Sequence, residues 1–433
     1  MNQQIFGTDH NTGVASMDGY AASAAAHHIP PNAAMDVFTP DRVPVLSTLA
    51  KEYAMFDDFR CSLPGPTFPN RMMFHAATTN GSCDDCGDIW QCVEGFPAKP
   101  LYYHLSNANI SWGIYMEEVP DTILFSWMRS AENLAHTHFM GEFKKHLAEG
   151  TLPQFSFINP AFYGLGESFP ASDQHPSHDV VTGEALMKSI YEDLRGSQYW
   201  EQSLLIITYD ESGGFWDSSP TPLTGVPSPD GLDCPAPNAF DFQRAGIRIP
   251  TVAISPWIAR GTVVSQPPPS AKPTPTSFYE LTSVYGTLAK VWGLPHMTKR
   301  DAWAATFEHL WTNTSAPRTD CLESLPEPPL QEAYAARRAG LAPMHGDAPL
   351  NDLQKAFIRL ASSVTLPGQS AEEAVLEATA AQALENERLG SLYVRDRMAR
   401  LMGRSAHENP SHPNHAAYLA SVVSADAGLA EDV

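Results

Sequence analysis

Positive charge is scarce in this chain. Lys and Arg number 27 against 49 Asp and Glu, a formal net charge of −22 over 433 residues. Phosphate-backbone binding rests on clustered Lys and Arg, so nucleic acid is excluded as a partner. The same deficit disfavours electrostatic docking on an anionic membrane surface, but leaves open a zwitterionic lipid or a small phosphoester as ligand. Acidity of this size serves first to keep a protein soluble. No apolar run approaches the ~18 residues that crossing a bilayer takes, which leaves peripheral contact as the way to meet a membrane. The opening Met1-Asn2-Gln3-Gln4-Ile5-Phe6-Gly7 has neither the basic end nor the apolar stretch of a secretory signal. Taken literally, that start predicts a cytoplasmic or peripheral-membrane location.

Cysteine is also sparse. The six are Cys61, Cys83, Cys86, Cys92, Cys234 and Cys321. Cys83-Asp84-Asp85-Cys86 with Cys92 offers three zinc ligands, but no second pair and no neighbouring His completes a structural site. A local disulfide in a surface loop, or free thiols, is expected instead. Apolar content of 43% and charged content of 18% describe a globular chain with ample core, and 37 Pro with 28 Gly imply many long loops.

Residues 1–40 are polar, alanine-rich and irregular, and read as loop. A helix is expected from Val43 onward, then a short strand or loop over Met55–Phe59, a helix after residue 72 and a cysteine loop up to about 100. Strands are expected at Ile110–Tyr115, Gln154–Pro160, Leu204–Tyr209 and Arg248–Ser255, with helical stretches near 122–150 and over 180–196, where Leu186, Ile190 and Leu194 share a face. A loop rich in Pro, Gly and Ser occupies 217–240. Strands alternating with helices predict an α/β fold with a mostly parallel sheet. Beyond Pro343, Leu350, Leu353, Phe357 and Leu360 follow helical spacing, and residues 371–403 contain few breakers. Two further helices are expected there, packed on the core, followed by a loose acidic tail over 404–433. No internal repeat is present.

The run Leu204-Leu205-Ile206-Ile207-Thr208-Tyr209-Asp210-Glu211-Ser212-Gly213-Gly214 carries the most chemistry. A buried strand ends abruptly in two carboxylates, at the edge where open α/β sheets gather their ligands. Adjacent carboxylates repel unless a cation or Arg lies between them. Asp210 and Glu211 therefore suggest a divalent metal and, with it, hydrolytic chemistry. Thr67, between Pro66 and Pro69, is the candidate nucleophile, because a coordinated metal can activate a hydroxyl without a separate base. Asn70 and Arg71 follow closely enough to bring an amide and a guanidinium to the same pocket, and guanidinium matches phosphate oxygens. In His175-Pro176-Ser177-His178-Asp179, His175 is the candidate proton donor or phosphoryl contact, while His178 and Asp179 suit the start of the following helix.

Taken in order, these segments resemble the phosphoesterase family that includes bacterial phospholipases C and acid phosphatases, with plant-type non-specific phospholipase C nearest. The matching segments are Val43 through Asp57, Gly65-Pro66-Thr67-Phe68-Pro69-Asn70-Arg71-Met72, His175 through Val180, Thr208-Tyr209-Asp210-Glu211, Gly225 through Gly231, Ile249-Pro250 with Ser255-Pro256-Trp257-Ile258, Thr298 through Trp303 and Pro317 through Cys321. The match runs from about Met35 to Cys321 and, more loosely, through the C-terminal helices.

The resemblance implies an alkaline phosphatase-like three-layer α/β sandwich. It implies that Thr67 attacks phosphorus to give a phospho-enzyme. Asp210 and Glu211, with Thr67, would hold a divalent metal (Mg²⁺, Ca²⁺, Mn²⁺ or Zn²⁺), while His175 would serve the phosphate or leaving group. Asn70 and Arg71 would line the phosphate site, and the products would be diacylglycerol and a phosphorylated headgroup. The implied organisation is an α/β domain over 1–340, a helical region over 341–403 and the tail over 404–433. The sequence also departs from the family. The opening strand and Glu-Asn-Arg-Ser-Phe-Asp segment, which supplies metal ligands, does not occur in these residues: the chain is either a truncated form of a working enzyme or a diverged relative. Three family histidines are replaced, at Ser212, Ser218 and Leu281. Two alternatives to phospholipase C activity follow: a catalytically impaired lipid- or phosphate-binding relative, and an acid phosphatase-type phosphomonoesterase.

Overall fold

Among the described residues nine short strands form three sheets in a mixed α/β arrangement. The structure, a computed structural model, describes residues 2–85, 92, 94–163, 171–176, 178–236, 238–312, 314–330, 332, 348–366 and 368–403. In chain order the strands are β1 (Ala54–Phe56), β2 (Phe59–Arg60), β3 (Trp112–Met116), β4 (Thr137–Phe139), β5 (Phe155–Ile158), β6 (Leu205–Thr208), β7 (Thr251–Ile254), β8 (Thr262–Val264) and β9 (Tyr279–Glu280). One sheet has the order β6-β7-β1-β8, a second β4-β3-β5, and β2 pairs with β9. Parallel pairing holds throughout the second sheet and between β1 and β8. β7, however, runs antiparallel to both β1 and β6, so the larger sheet is mixed.

β3 and β7 are buried along their whole length, as expected for apolar runs covered on both faces. The Val180–Arg195 helix buries Met187, Ile190 and Leu194 in a core shared with Val252 and Ile254 of β7. Asp179 caps it, its side chain accepting from the Val181 N–H. Glu184 reaches back from this helix to accept the Val45 and Leu46 N–H groups, capping the Pro44–Glu52 helix from outside.

Several elements differ from the sequence reading. Residues 1–40 are not all loop: Asn2–Phe6 and Tyr20–Ala26 are helical, and Ile5, Phe6, Tyr20 and Ala24 pack with Ile247. These helices owe their existence to a distant partner, since their local sequence carries little helical pattern. The stretch near 122–150 contains β4 as well as helices, and the helix expected after residue 72 begins at Thr67. Three C-terminal helices are present rather than two, Asp352–Ser363, Ala371–Gln382 and Glu387–Leu401, because Asn386 opens a new helix by capping it.

These helices share the main core. Phe357 lies 4.8 Å from the Phe68 ring and 4.3 Å from that of Phe162. The Tyr163 hydroxyl donates to the Gln354 carbonyl. The tail over 404–433 lies outside the described residues, as does Cys86. Cys83 is bonded to Cys234 rather than to a near neighbour, across a sequence separation of 151, with Cα atoms 6.0 Å apart. A thiol committed to that bond is lost as a zinc ligand, and Cys61 and Cys321 are free and buried. Among the described residues no helix is long and apolar enough to cross a membrane.

Candidate active site

The site is built on the Thr67–Ala76 helix. Pro66 is extended and forms the N-cap, and Pro69 falls in the first turn, where its missing N–H has no intrahelical partner to lose. The two prolines therefore start the helix rather than stiffen a loop, and Thr67 is its first residue. Asn70 is fully buried. Its amide nitrogen donates to the carbonyls of Leu63, Gly65 and Pro66 at 3.2, 3.0 and 3.1 Å, and its oxygen accepts the Leu63 N–H. That side chain is spent on holding the turn before Thr67, where the sequence reading had it meeting phosphate.

Thr67 and Arg71 are four residues apart and so share a helix face. Arg71 Nε donates to Asp210 Oδ2 at 2.9 Å, and Nη1 donates to Asp121 Oδ2 at 3.1 Å. Its guanidinium lies 5.0 Å over the Phe162 ring. Burial alone would raise the Asp121 carboxyl, but His75 and Arg71 beside it hold it down at about 2. The ion pair with Asp210 thus ties the Thr67–Ala76 helix to the end of β6.

At that end Asp210 Oδ1 accepts the Glu211 N–H, and Glu211 Oε2 accepts the Gly213 N–H at 2.8 Å. Gly213 and Gly214 both have positive φ, 64° and 80°, a conformation that makes the tight turn open to glycine. Burial, and then the charge of Asp210, pushes the Glu211 carboxyl up to about 8. A third carboxylate, Asp85, belongs to the same group. It accepts the Phe68 N–H at 2.7 Å at the start of the Thr67–Ala76 helix. Burial raises it to about 7, with Asp210 adding to the shift.

Sequence reading took Asp85 as part of the cysteine loop, and only the fold brings it here. Asp85, Asp210 and Glu211 are half-buried carboxylates, hard-oxygen donors of the kind a divalent cation takes. One oxygen from each of the three does not come within 4.8 Å of the other two, so the fit to such an ion is one of donor chemistry and not of spacing.

His175 is half-buried and its backbone N–H donates to Asp173 Oδ1. Burial lowers its pKa, against the raising effect of Asp173. His178 is held between Asp173 (2.5 Å) and Glu387 (3.1 Å). Burial opposes its charge, but the two carboxylates outweigh burial and raise it to about 10. Of the three replaced positions, Ser218 is exposed, Ser212 half-buried and Leu281 buried. Asp217, next to Ser218, is paired with Arg248. A separate group, His138, Glu142 and His146, has ligand atoms within 4.8 Å of one another and could also hold a metal. It lies on β4 and the Gly141–Glu149 helix, not on the elements that carry Thr67 and Asp210. A half-open cleft of ≈ 990 Å³ reaches the site, lined there by Arg71 and Asp210; Thr67, Asn70, Glu211 and His175 do not line it.

The Phosphoesterase family profile matches residues 1–295. Non-specific phospholipase C6 of Arabidopsis thaliana is 40% identical over 368 residues, covering 84% of this chain and 68% of that protein. Non-specific phospholipase C1 of the same plant is 38% identical, covering 84% and 67%. Phospholipase C A of Mycobacterium tuberculosis is 27% identical, covering 56% and 51%. Among solved structures, phosphonate monoester hydrolase of Agrobacterium radiobacter overlaps 64% of this chain and 73% of its own, at 12% identity and a TM-score of 0.37. The chain spans about two thirds of the length of its plant relatives. It belongs to the Phosphoesterase family and is a hydrolase of phosphoester bonds.

Proposed function

We propose that this chain is a phospholipase C-type hydrolase that cleaves a glycerophospholipid into diacylglycerol and a phosphorylated headgroup. The observation that carries the reading is the first turn of one helix, which presents Thr67 and Arg71 on a single face while Arg71 grips Asp210. The names of the plant and mycobacterial relatives support the substrate class. The reading includes an alkaline phosphatase-like sandwich over 1–340, with the helical region 341–403 and the tail 404–433 following it.

In this reading Thr67 Oγ attacks phosphorus. A new O–P bond forms as the bond from phosphorus to the diacylglycerol oxygen breaks. His175, kept neutral by burial, takes the hydroxyl proton and returns it to the departing oxygen. Water then attacks the phosphothreonine, releases the phosphorylated headgroup and restores the hydroxyl. Arg71 pairs with the non-bridging oxygens, and Asn70 keeps the turn before Thr67 in place. Asp85, Asp210 and Glu211, with Thr67 Oγ, would hold a divalent ion, which when bound lowers the hydroxyl pKa and offsets phosphate charge.

A second reading, a phosphate or lipid binder without catalysis, is favoured by one observation: Leu281, at a family histidine position, is buried and lines the apolar cleft. Acid quenching during turnover of p-nitrophenylphosphorylcholine, followed by peptide mass spectrometry, separates the two. Catalysis through Thr67 leaves a phosphocholine adduct on that residue. An unmodified Thr67 peptide under conditions of turnover would rule out the covalent route, and absence of turnover would favour the binder.

A further inference from the structure

Strand register and helix spacing bring two imidazoles and a carboxylate together away from the active site. β3 and β4 pair in parallel with Tyr115 opposite His138, so these two side chains share one face of the sheet. Alternation puts Ile114, Met116 and Phe139 on the other face, in the core that contains Phe357 and Leu360. The Gly141–Glu149 helix packs on the first face and buries Phe143 and Leu147 in the cluster that holds Tyr115. Glu142 and His146 each precede one of that apolar pair. Four residues apart, they share the adjoining stripe of the helix and meet His138 there.

The ligand atoms of His138, Glu142 and His146 lie within 4.8 Å of one another, and all three residues are half-buried. His138 Nδ1 and Glu142 Oε1 are 3.7 Å apart. That separation is too long for a hydrogen bond. It is near the ~3.4 Å that separates two ligands of a tetrahedral zinc ion, each ~2.1 Å from the metal. Glu142 Oε2 accepts the Phe139 N–H at 3.2 Å, which holds the carboxylate against β4. The Tyr115 hydroxyl lies 2.8 Å from His146 Nδ1, so Nε2 is the nitrogen left for an ion. Metal-bound imidazoles are commonly fixed through their second nitrogen in this way. The two imidazole rings stand edge to face, with centroids 4.9 Å apart. An ion pair of His138 with Glu142 needs one imidazole; His146 adds a nitrogen donor that such a pair does not use.

We propose that His138, Glu142 and His146 bind a zinc ion that ties β4, at the edge of its sheet, to the Gly141–Glu149 helix. Two imidazoles with one carboxylate suit zinc, whereas Ca²⁺ and Mg²⁺ take oxygen ligands. The site thus differs in donor set and in position from Asp85, Asp210 and Glu211. Closing the three ligand atoms onto one ion takes a movement of about 1 Å to reach tetrahedral spacing, which rotation of half-buried side chains supplies. The fourth position falls to water, since the side chains of His138 and Glu142 are 16% and 31% exposed. The inference concerns a second metal and stands whether or not Thr67 is a nucleophile.

Calorimetric titration of the full chain with Zn²⁺ tests it. The native chain should bind the ion saturably, and His138→Gln, Glu142→Gln and His146→Gln should each weaken binding at least about tenfold. Two controls should leave the affinity unchanged: His27→Gln, at an exposed histidine outside the group, and Asp85→Asn, in the carboxylate group of the active site. Far-UV circular dichroism shows whether each variant is folded. The native chain alone supplies a second measurement, with Co²⁺ in place of zinc. A tetrahedral site gives strong visible absorption, which added Zn²⁺ should abolish. Absence of saturable Zn²⁺ binding, equal affinity in the native chain and a folded His146→Gln, an equal loss in Asp85→Asn, or only the weak bands of octahedral Co²⁺ would overturn the proposal.

Discussion

Arg71 is the residue on which the site turns, because one guanidinium serves both Asp121 and Asp210. Lys offers a single point charge and cannot bridge both carboxylates. Arg71→Lys should therefore lower kcat/KM on p-nitrophenylphosphorylcholine at least about tenfold. Arg71→Gln strands a fully buried Asp121 and should cost about 3–5 kcal/mol in urea denaturation. A loss below about 1 kcal/mol would mean that Asp121 has other support. Asp85 makes a separate prediction. Millimolar Ca²⁺ or Mn²⁺ should raise the Tm of the native chain through binding to the folded state. In Asp85→Asn the rise should be at least halved, whereas an equal rise would remove Asp85 from the cation site. Thr67, Arg71, Asp210 and Glu211 could be named as candidates from the sequence because each lies in a short, self-contained segment. Asp121 and Asp85 were not. Arg71 stands 139 residues from Asp210 and 50 from Asp121, and no local pattern reports such distances.

The C-terminal helices act as elements of the site's support. The Asp352–Ser363 helix brings Phe357 against Phe68, the residue after Thr67, and against Phe162, which lies under Arg71. Phe357→Ala should destabilise the chain by about 3–5 kcal/mol, measured by denaturant unfolding. The Glu387–Leu401 helix is tied through Glu387 to His178. The folded-state pKa of His178 is raised to about 10 from an ordinary 6.5. This tie therefore contributes in full below about pH 6.5 and is lost as pH rises through 10. Its contribution to stability should fall steadily between pH 7 and 10. His178→Gln should be less stable at pH 7 and flatter over that range, and parallel curves for the two proteins would contradict the assignment. Strong apolar runs made β5, β6 and β7 legible, and helical spacing did the same for Val180–Arg195. The strand β4 is three residues long, and the Asn2–Phe6 helix rests on Ile247, so neither carries a periodic signal of its own.

At the scale of the whole molecule, the Cys83–Cys234 bond closes a loop of 151 residues and anchors the segment that carries Asp85. Chain entropy puts the stabilisation from a loop of that length at about 5 kcal/mol. Reduction should therefore lower Tm and, by loosening Asp85, weaken the response to divalent ions. The net charge of −22 keeps the surface away from polyanions, and at the site the charge of Arg71 is matched by Asp121 and Asp210. The parts converge on one claim, that Thr67 is the nucleophile of a phosphoester hydrolase. Initial rates on p-nitrophenylphosphorylcholine for the native chain and for Thr67→Ala, with a divalent ion present, test it most directly. The account predicts a native rate at least about 10³-fold above the variant, as losing a nucleophile commonly entails. Equal rates would contradict it.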